Sequence, residues 1–135
     1  MTILVTGATG SVGRLLVDEL VAAGAPVRAL TNNPARAALP DGVEVARGYV
    51  GKPATLPAAL AGVDTVYLAP LPAYVDDFVE CARAAAVRRV VVLSGEPADY
   101  EAQGDPSTWH YYRIERAIEA GGFDWTFLRP GQFIR

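Results

Sequence analysis

A chain of 135 residues is long enough for one domain with a sizeable core, and an apolar content of 51% excludes a disordered tail. Twelve basic and fifteen acidic residues leave a formal charge of −3 without any Lys and Arg stripe, which excludes nucleic acid as a partner. A single cysteine, Cys81, and a single histidine, His110, exclude an internal disulfide and a metal centre, and no apolar run is long enough for a membrane span or signal.

In chain order, residues 2–6 form an apolar first strand that runs into Thr6-Gly7-Ala8-Thr9-Gly10-Ser11-Val12-Gly13. Glycines at i, i+3 and i+6 let the backbone turn sharply, let a diphosphate approach the amides and let the helix pack on its strand. The unpaired N–H groups and dipole of the following helix face the same spot, which suits an anion. That helix places Val12, Leu15, Leu16 and Leu20 on one face and closes at Gly24.

Residues 27–31 read as a second strand, Pro34 opens a short helix through Leu39, and residues 43–46 form a third strand. A helical turn over 55–60 ends at Gly62, and a fourth strand over 65–69 is bounded by Pro70 and Pro72. A helix over 74–86 carries Val75, Phe78, Val79 and Ala82 at helical spacing and leads to a β-branched fifth strand over 89–93. Residues 96–107, rich in Pro, Gly and acid, read as a surface loop able to act as a lid. A helix over 108–120 ends at Gly121-Gly122, and a sixth strand spans 125–128. Six apolar strands alternating with helices predict an α/β fold, a doubly wound, Rossmann-like parallel sheet of order 3-2-1-4-5-6 in one domain over 1–135.

Four stretches together resemble the NmrA-like group of atypical short-chain dehydrogenase/reductases, which includes NAD(P)H-dependent quinone and azo reductases and dinucleotide-sensing regulators. They are the glycine loop, Val27-Arg28-Ala29-Leu30-Thr31, Gly62-Val63-Asp64-Thr65-Val66-Tyr67-Leu68 and Trp125-Thr126-Phe127-Leu128-Arg129-Pro130-Gly131-Gln132-Phe133. The last block is the most specific to that group. The resemblance implies a dinucleotide laid across the carboxyl ends of the strands, at the switch between strands one and four.

Carried over residue by residue, Gly7, Thr9, Gly10, Ser11 and Val12 match the loop around the pyrophosphate. Asn32 and Asn33 stand where many relatives place an Arg for the 2′-phosphate of NADP, yet no acid ends strand two to hold the 2′-hydroxyl of NAD. Arg36 either reaches back to a phosphate or is a solvated helix residue, and the balance favours NADP over NAD narrowly. Tyr49 replaces the usual Asp beside the adenine, where its ring can stack. Leu68, Ala69 and Pro70 match the wall along the adenosine and nicotinamide ribose, or simply end a strand.

For chemistry, extended relatives use a Ser, a Tyr and a Lys four residues on; here Ser94 ends strand five and Tyr112 precedes Arg116 by that spacing. Arg keeps the charge but cannot shuttle a proton, and the same residues describe an ordinary amphipathic helix. Hydride transfer to a small quinone-like or carbonyl acceptor needs chiefly a dry, oriented pocket, with His110 or Tyr112 as the proton donor. The expected function is therefore an NAD(P)H-dependent oxidoreductase. The alternatives are a module that senses the dinucleotide redox state without turnover, and a shortened relative with another ligand in the cleft.

The resemblance also implies a substrate lobe following the last block, and a helix over the sheet after strand six, neither of which this sequence contains. Leaving several hundred Å² of apolar sheet in water would forgo on the order of 10 kcal/mol. A homo-oligomer or a partner chain is expected to cover that face, in a protein of the reducing cytoplasm.

Overall fold

The computed structural model describes residues 1–130. β1 (Thr2–Val5) sends Leu4 to one face of the sheet and Ile3 and Val5 to the other, and β5 (Arg89–Leu93) splits Val90 and Val92 from Val91 and Leu93 in the same way. Strands apolar on both faces need cover on both faces, and the chain returns through a crossover after each strand. With β2 (Val27–Thr31), β3 (Glu44–Arg47), β4 (Val63–Leu68) and β6 (Asp124–Leu128) they form a six-stranded sheet of order β3-β2-β1-β4-β5-β6. All five pairings are parallel, so the order expected from the alternation of elements is the one observed.

One face holds α1 (Ser11–Ala22) against Val5, Val27, Ala29 and Tyr67. The other holds α2 (Leu56–Leu60), α3 (Val75–Ala84) and α5 (Tyr111–Ala120), whose Leu56, Leu60, Phe78, Ile114 and Ile118 are fully buried. Within α1 the inward residues are Gly13 and Val17, with Val12, Leu16 and Leu20 packed beside them. Leu15, expected on that face, is 67% exposed, because the i, i+4 row of Val12, Leu16 and Leu20 points it outward.

The expected bounds of β2 and β5 are those observed, and β4 starts two residues earlier, directly after the left-handed turn at Gly62. The helix after β2 is reduced to a 3-10 turn, Pro34–Arg36.

Residues 96–107 are a correction. They contain α4 (Ala98–Glu101), which three contacts anchor. Ala98 is fully buried, Asp99 pairs with Arg129 at 2.6 Å, and Glu101 Oε1 accepts from the backbone N–H groups of His110 at 2.7 Å and Tyr112 at 2.9 Å. Glu101 thus satisfies open donors at the start of α5 from a neighbouring helix, as an N-cap side chain would. A segment held in this way is a support for α5; the lid expectation falls for α4.

Candidate functional site

The crevice lies where β1 and β4 diverge toward their flanking helices, at the carboxyl edge of the sheet. Thr6 pins its floor. Its hydroxyl donates to Tyr67 O at 3.0 Å and accepts from Ala69 N–H at 2.8 Å, tying the ends of the two strands. Gly7 then takes φ +59°, and α1 starts after Gly10, whose own N–H returns to Gly7 O at 3.0 Å.

No side chain caps α1 and its first turn has no acid, so its positive end is left open toward the crevice. Gly13 lies against the loop: a Cβ there would run into the Gly7 carbonyl and come within 3.1 Å of Ala8 Cα. A methyl on Gly7 would meet Ala69 Cβ at 3.3 Å. The bare Gly13 lets the helix backbone lie on the loop backbone, the bare Gly7 lets the loop lie against the Ala69 side chain, and a paired phosphate fits that cradle.

A cavity of about 480 Å³ runs along this edge. It brings together eight of the expected residues: Gly7, Thr9, Asn32, Tyr49, Ala69, Pro70, Ser94 and His110. Tyr49, 42% exposed, lies with its ring over Gly51, where it is free to meet a flat base. The chain adds residues that the motifs do not reveal, among them Leu71, Leu93 and Tyr111.

Other expected residues stand elsewhere. Gly10, Ser11 and Val12 do not line the cavity; Val12 packs its side chain on the α1 face, so only its backbone N–H can serve an anion. Leu68 is fully buried in the opposite core and gives the wall no side chain, a correction to its expected place beside Ala69 and Pro70. Asn33 lines a second, adjoining cavity, and Arg36 is exposed and lines neither. Cys81 is half-buried on α3, and burial, with Glu80 and Asp77 adding, pushes its thiol up, away from nucleophilic use.

At the far end of the cavity the geometry departs from the Ser, Tyr and Lys pattern. Ser94 donates its hydroxyl to Glu115 Oε2 at 2.5 Å, so its proton is committed inside the protein. Glu115 is buried and takes Arg129 on both oxygens, Nε at 2.8 Å and Nη2 on the other, while Arg129 also holds Asp99. This network joins the ends of β5 and β6 to α4 and α5.

Tyr112 turns away, packing edge-on against Trp109 at 4.6 Å, and the tyrosine that reaches the cavity is Tyr111. Its ring lies over Gly95 and meets His110 edge-on at 4.6 Å. The inward face of α5 explains this: Tyr111 shares it with Ile114, Glu115 and Ile118 at helical spacing, whereas Arg116, four residues after Tyr112, is exposed. That spacing is the signal by which the sequence could have singled out Tyr111.

Residues 7–135 match a family of sequences described as NAD(P)H-binding. The chain belongs to this NAD(P)H-binding family. It is 42% identical to a (4-alkanoyl-5-oxo-2,5-dihydrofuran-3-yl)methyl phosphate reductase of Streptomyces griseus, over 98% of this chain and 48% of that protein. To the NAD(P)H azoreductase of Xenophilus azovorans it is 33% identical, over 98% of this chain and 49% of the other. A triphenylmethane reductase of Citrobacter sp., solved with NADP(H), superposes with a TM-score of 0.84 at 29% identity, over 98% of this chain and 50% of that one.

The chain spans about half the length of the curated relatives it matches. Membership of the NAD(P)H-binding family agrees with the cradle at Gly7 and with the NmrA-like resemblance, as does the nature of its relatives as reductases. Of the last block carrying that resemblance, Gly131, Gln132 and Phe133 lie outside the described residues. Among the described residues, no helix is long and apolar enough to cross a membrane.

Proposed function

We propose that this chain acts as one domain that binds NAD(P)H along the carboxyl edge of its sheet and reduces a small conjugated acceptor, a quinone-like or carbonyl compound, in the cytoplasm. The observation that carries this reading is one cavity that reaches the glycine loop at Gly7 and Thr9 and is also lined by the apolar Pro70, Leu71 and Leu93 and by His110 and Tyr111. When bound, a reduced nicotinamide supplies the hydride. The chain's own part is to hold the diphosphate on the amides that follow Gly7, and to exclude water with Leu71, Pro70 and Leu93. Tyr111 holds the proton that the reduced acceptor needs, with His110 packed edge-on against it. The activities of the azo and furanone phosphate reductases support an electron-poor conjugated acceptor.

Steady oxidation of NADPH in the presence of menadione or an azo dye tests the proposal. Tyr111→Phe is expected to slow that turnover by about a hundredfold while Tyr112→Phe leaves it unchanged. Equal rates in the wild type and Tyr111→Phe would remove Tyr111 from the chemistry, and nucleotide affinity without any turnover would favour a redox-sensing module.

The face of the sheet beside β6 supports a further part of the reading. Ile3, Val12, Leu16, Leu20, Thr65, Tyr67, Val91 and Leu128 line an apolar groove of about 250 Å³, and the buried Tyr67 hydroxyl finds no partner among the described residues. Leu128 is 46% exposed at its edge. We infer that a second copy of the chain covers this groove, since a net charge of −3 opposes pairing only weakly. Sedimentation at micromolar concentration is expected to give a dimer that Leu128→Asp dissociates; a monomeric wild type contradicts it.

A further inference from the structure

A second cavity, of about 550 Å³, opens where β2 and β3 end, and it shares Asn32 and Gly48 with the nucleotide cleft. Its remaining walls are Asn33, Arg47, Lys52 and Thr55. Arg47 closes β3 directly opposite Thr31, the last residue of β2. Lys52, the only lysine in the chain, brings its ammonium to 3.5 Å from Asn32 Oδ1.

The turn that carries Lys52 is built by its backbone. Lys52 N–H donates to Tyr49 O at 2.9 Å, and Lys52 O accepts from Thr55 N–H at 2.9 Å and from Thr55 Oγ1 at 2.7 Å. The loop is therefore held by its backbone and by Thr55, and the Lys52 side chain reaches from it to Asn32. Among the described residues, neither Arg47 nor Lys52 pairs with a carboxylate. Two unneutralised cations flank a pair of amide side chains, and no acid lines the cavity. An acid is what a site for a free ribose 2′-hydroxyl needs, and cations with neutral donors are what a phosphate monoester needs.

From this we infer that Lys52 and Arg47 form the seat of the 2′-phosphate of NADPH, so that the chain selects NADPH over NADH from the β3 side of the cleft. The inference rests on the nucleotide reading above and adds which nucleotide the cleft takes and which side chains choose it. It also explains how Asn32 and Asn33 can follow β2 without loss of phosphate recognition: the charge comes from the neighbouring strand and its turn. Lys52 delivers a point charge and Arg47 a planar fork, so the two share one dianion without competing for the same oxygen.

Calorimetric titration with NADP⁺ and with NAD⁺ tests this without any turnover, with adenosine 2′-monophosphate against adenosine 5′-monophosphate as the smaller probe. Lys52→Ala and Arg47→Ala are each expected to weaken NADP⁺ by about tenfold while NAD⁺ binds as before, and Lys52→Arg to restore most of the loss. The double variant should bind the two nucleotides alike. Added salt should weaken NADP⁺ more than NAD⁺ in the wild type and equally in the double variant. An equal loss for both nucleotides, or a preference for NADP⁺ that survives the double substitution, overturns the inference. A wild type that binds both nucleotides equally also overturns it and leaves the cleft reading standing, whereas a wild type that binds neither defeats the cleft reading itself.

Discussion

Gly13→Ala will weaken dinucleotide binding by more than about tenfold in a chain that still folds. The added methyl has no room, since it is driven into the Gly7 carbonyl and toward Ala8 Cα, which are backbone atoms that cannot rotate aside. Either the first turn of α1 lifts off the loop or the loop opens, and both movements disperse the amides that face the crevice. Overpacking of this kind costs about 1–3 kcal/mol, less than the roughly 5–15 kcal/mol that holds a domain folded. The far-UV circular dichroism should stay native while affinity for NADPH falls by more than about tenfold. Wild-type affinity in a folded Gly13→Ala protein would show that the anion cradle is formed elsewhere.

The second large effect is expected at Arg129. Removing it as Arg129→Met leaves Glu115, fully buried beneath α5, with the Ser94 hydroxyl as its remaining side-chain partner. Breaking a buried pair from one side costs about 3–5 kcal/mol, and the 36% exposure of the Arg129 side chain puts the loss near the lower end. Urea denaturation should show a midpoint lowered accordingly. Because the cost is that of a stranded charge, Glu115→Leu in the same molecule should recover most of it. If the double variant is no more stable than the single, the network holds the fold through geometry that an apolar pair cannot replace.

This pair also shows where the sequence stops being legible. The glycine loop, the strand order and the bounds of β2 and β5 can be read directly, because local spacing and continuous apolar runs determine them. α4 cannot be read that way: Pro97, Asp99 and Gly104 give it the look of a loop, and its helix is held by the start of α5 and by Arg129, which lies 30 residues from Asp99. Ser94 is correctly placed at the cleft, but its commitment to Glu115 depends on a contact between β5 and α5 that no motif encodes.

The tyrosine on α5 fails for a different reason. The spacing from Tyr112 to Arg116 imitates a known pattern, while the inward row of Tyr111, Ile114, Glu115 and Ile118 is ordinary helical periodicity that includes a charged residue. A buried glutamate breaks the apolar signal by which that row would be recognised, and its partner is 14 residues away. Lys52 is hidden likewise, since a lone lysine carries no pattern, and its meaning appears only when β3 and its turn come beside the end of β2.

Amide-resolved NMR reads at each residue whether the amides following Gly7 hold the diphosphate of a nicotinamide dinucleotide. Titration of the ¹⁵N-labelled chain with NADPH should shift the backbone resonances of Thr9, Ser11 and Val12 together with those lining the cleft at Ala69 and Asn32, saturating at one nucleotide per chain. Unchanged resonances in the loop, at concentrations where NADPH binds elsewhere or not at all, would show that the glycine loop does not hold the diphosphate.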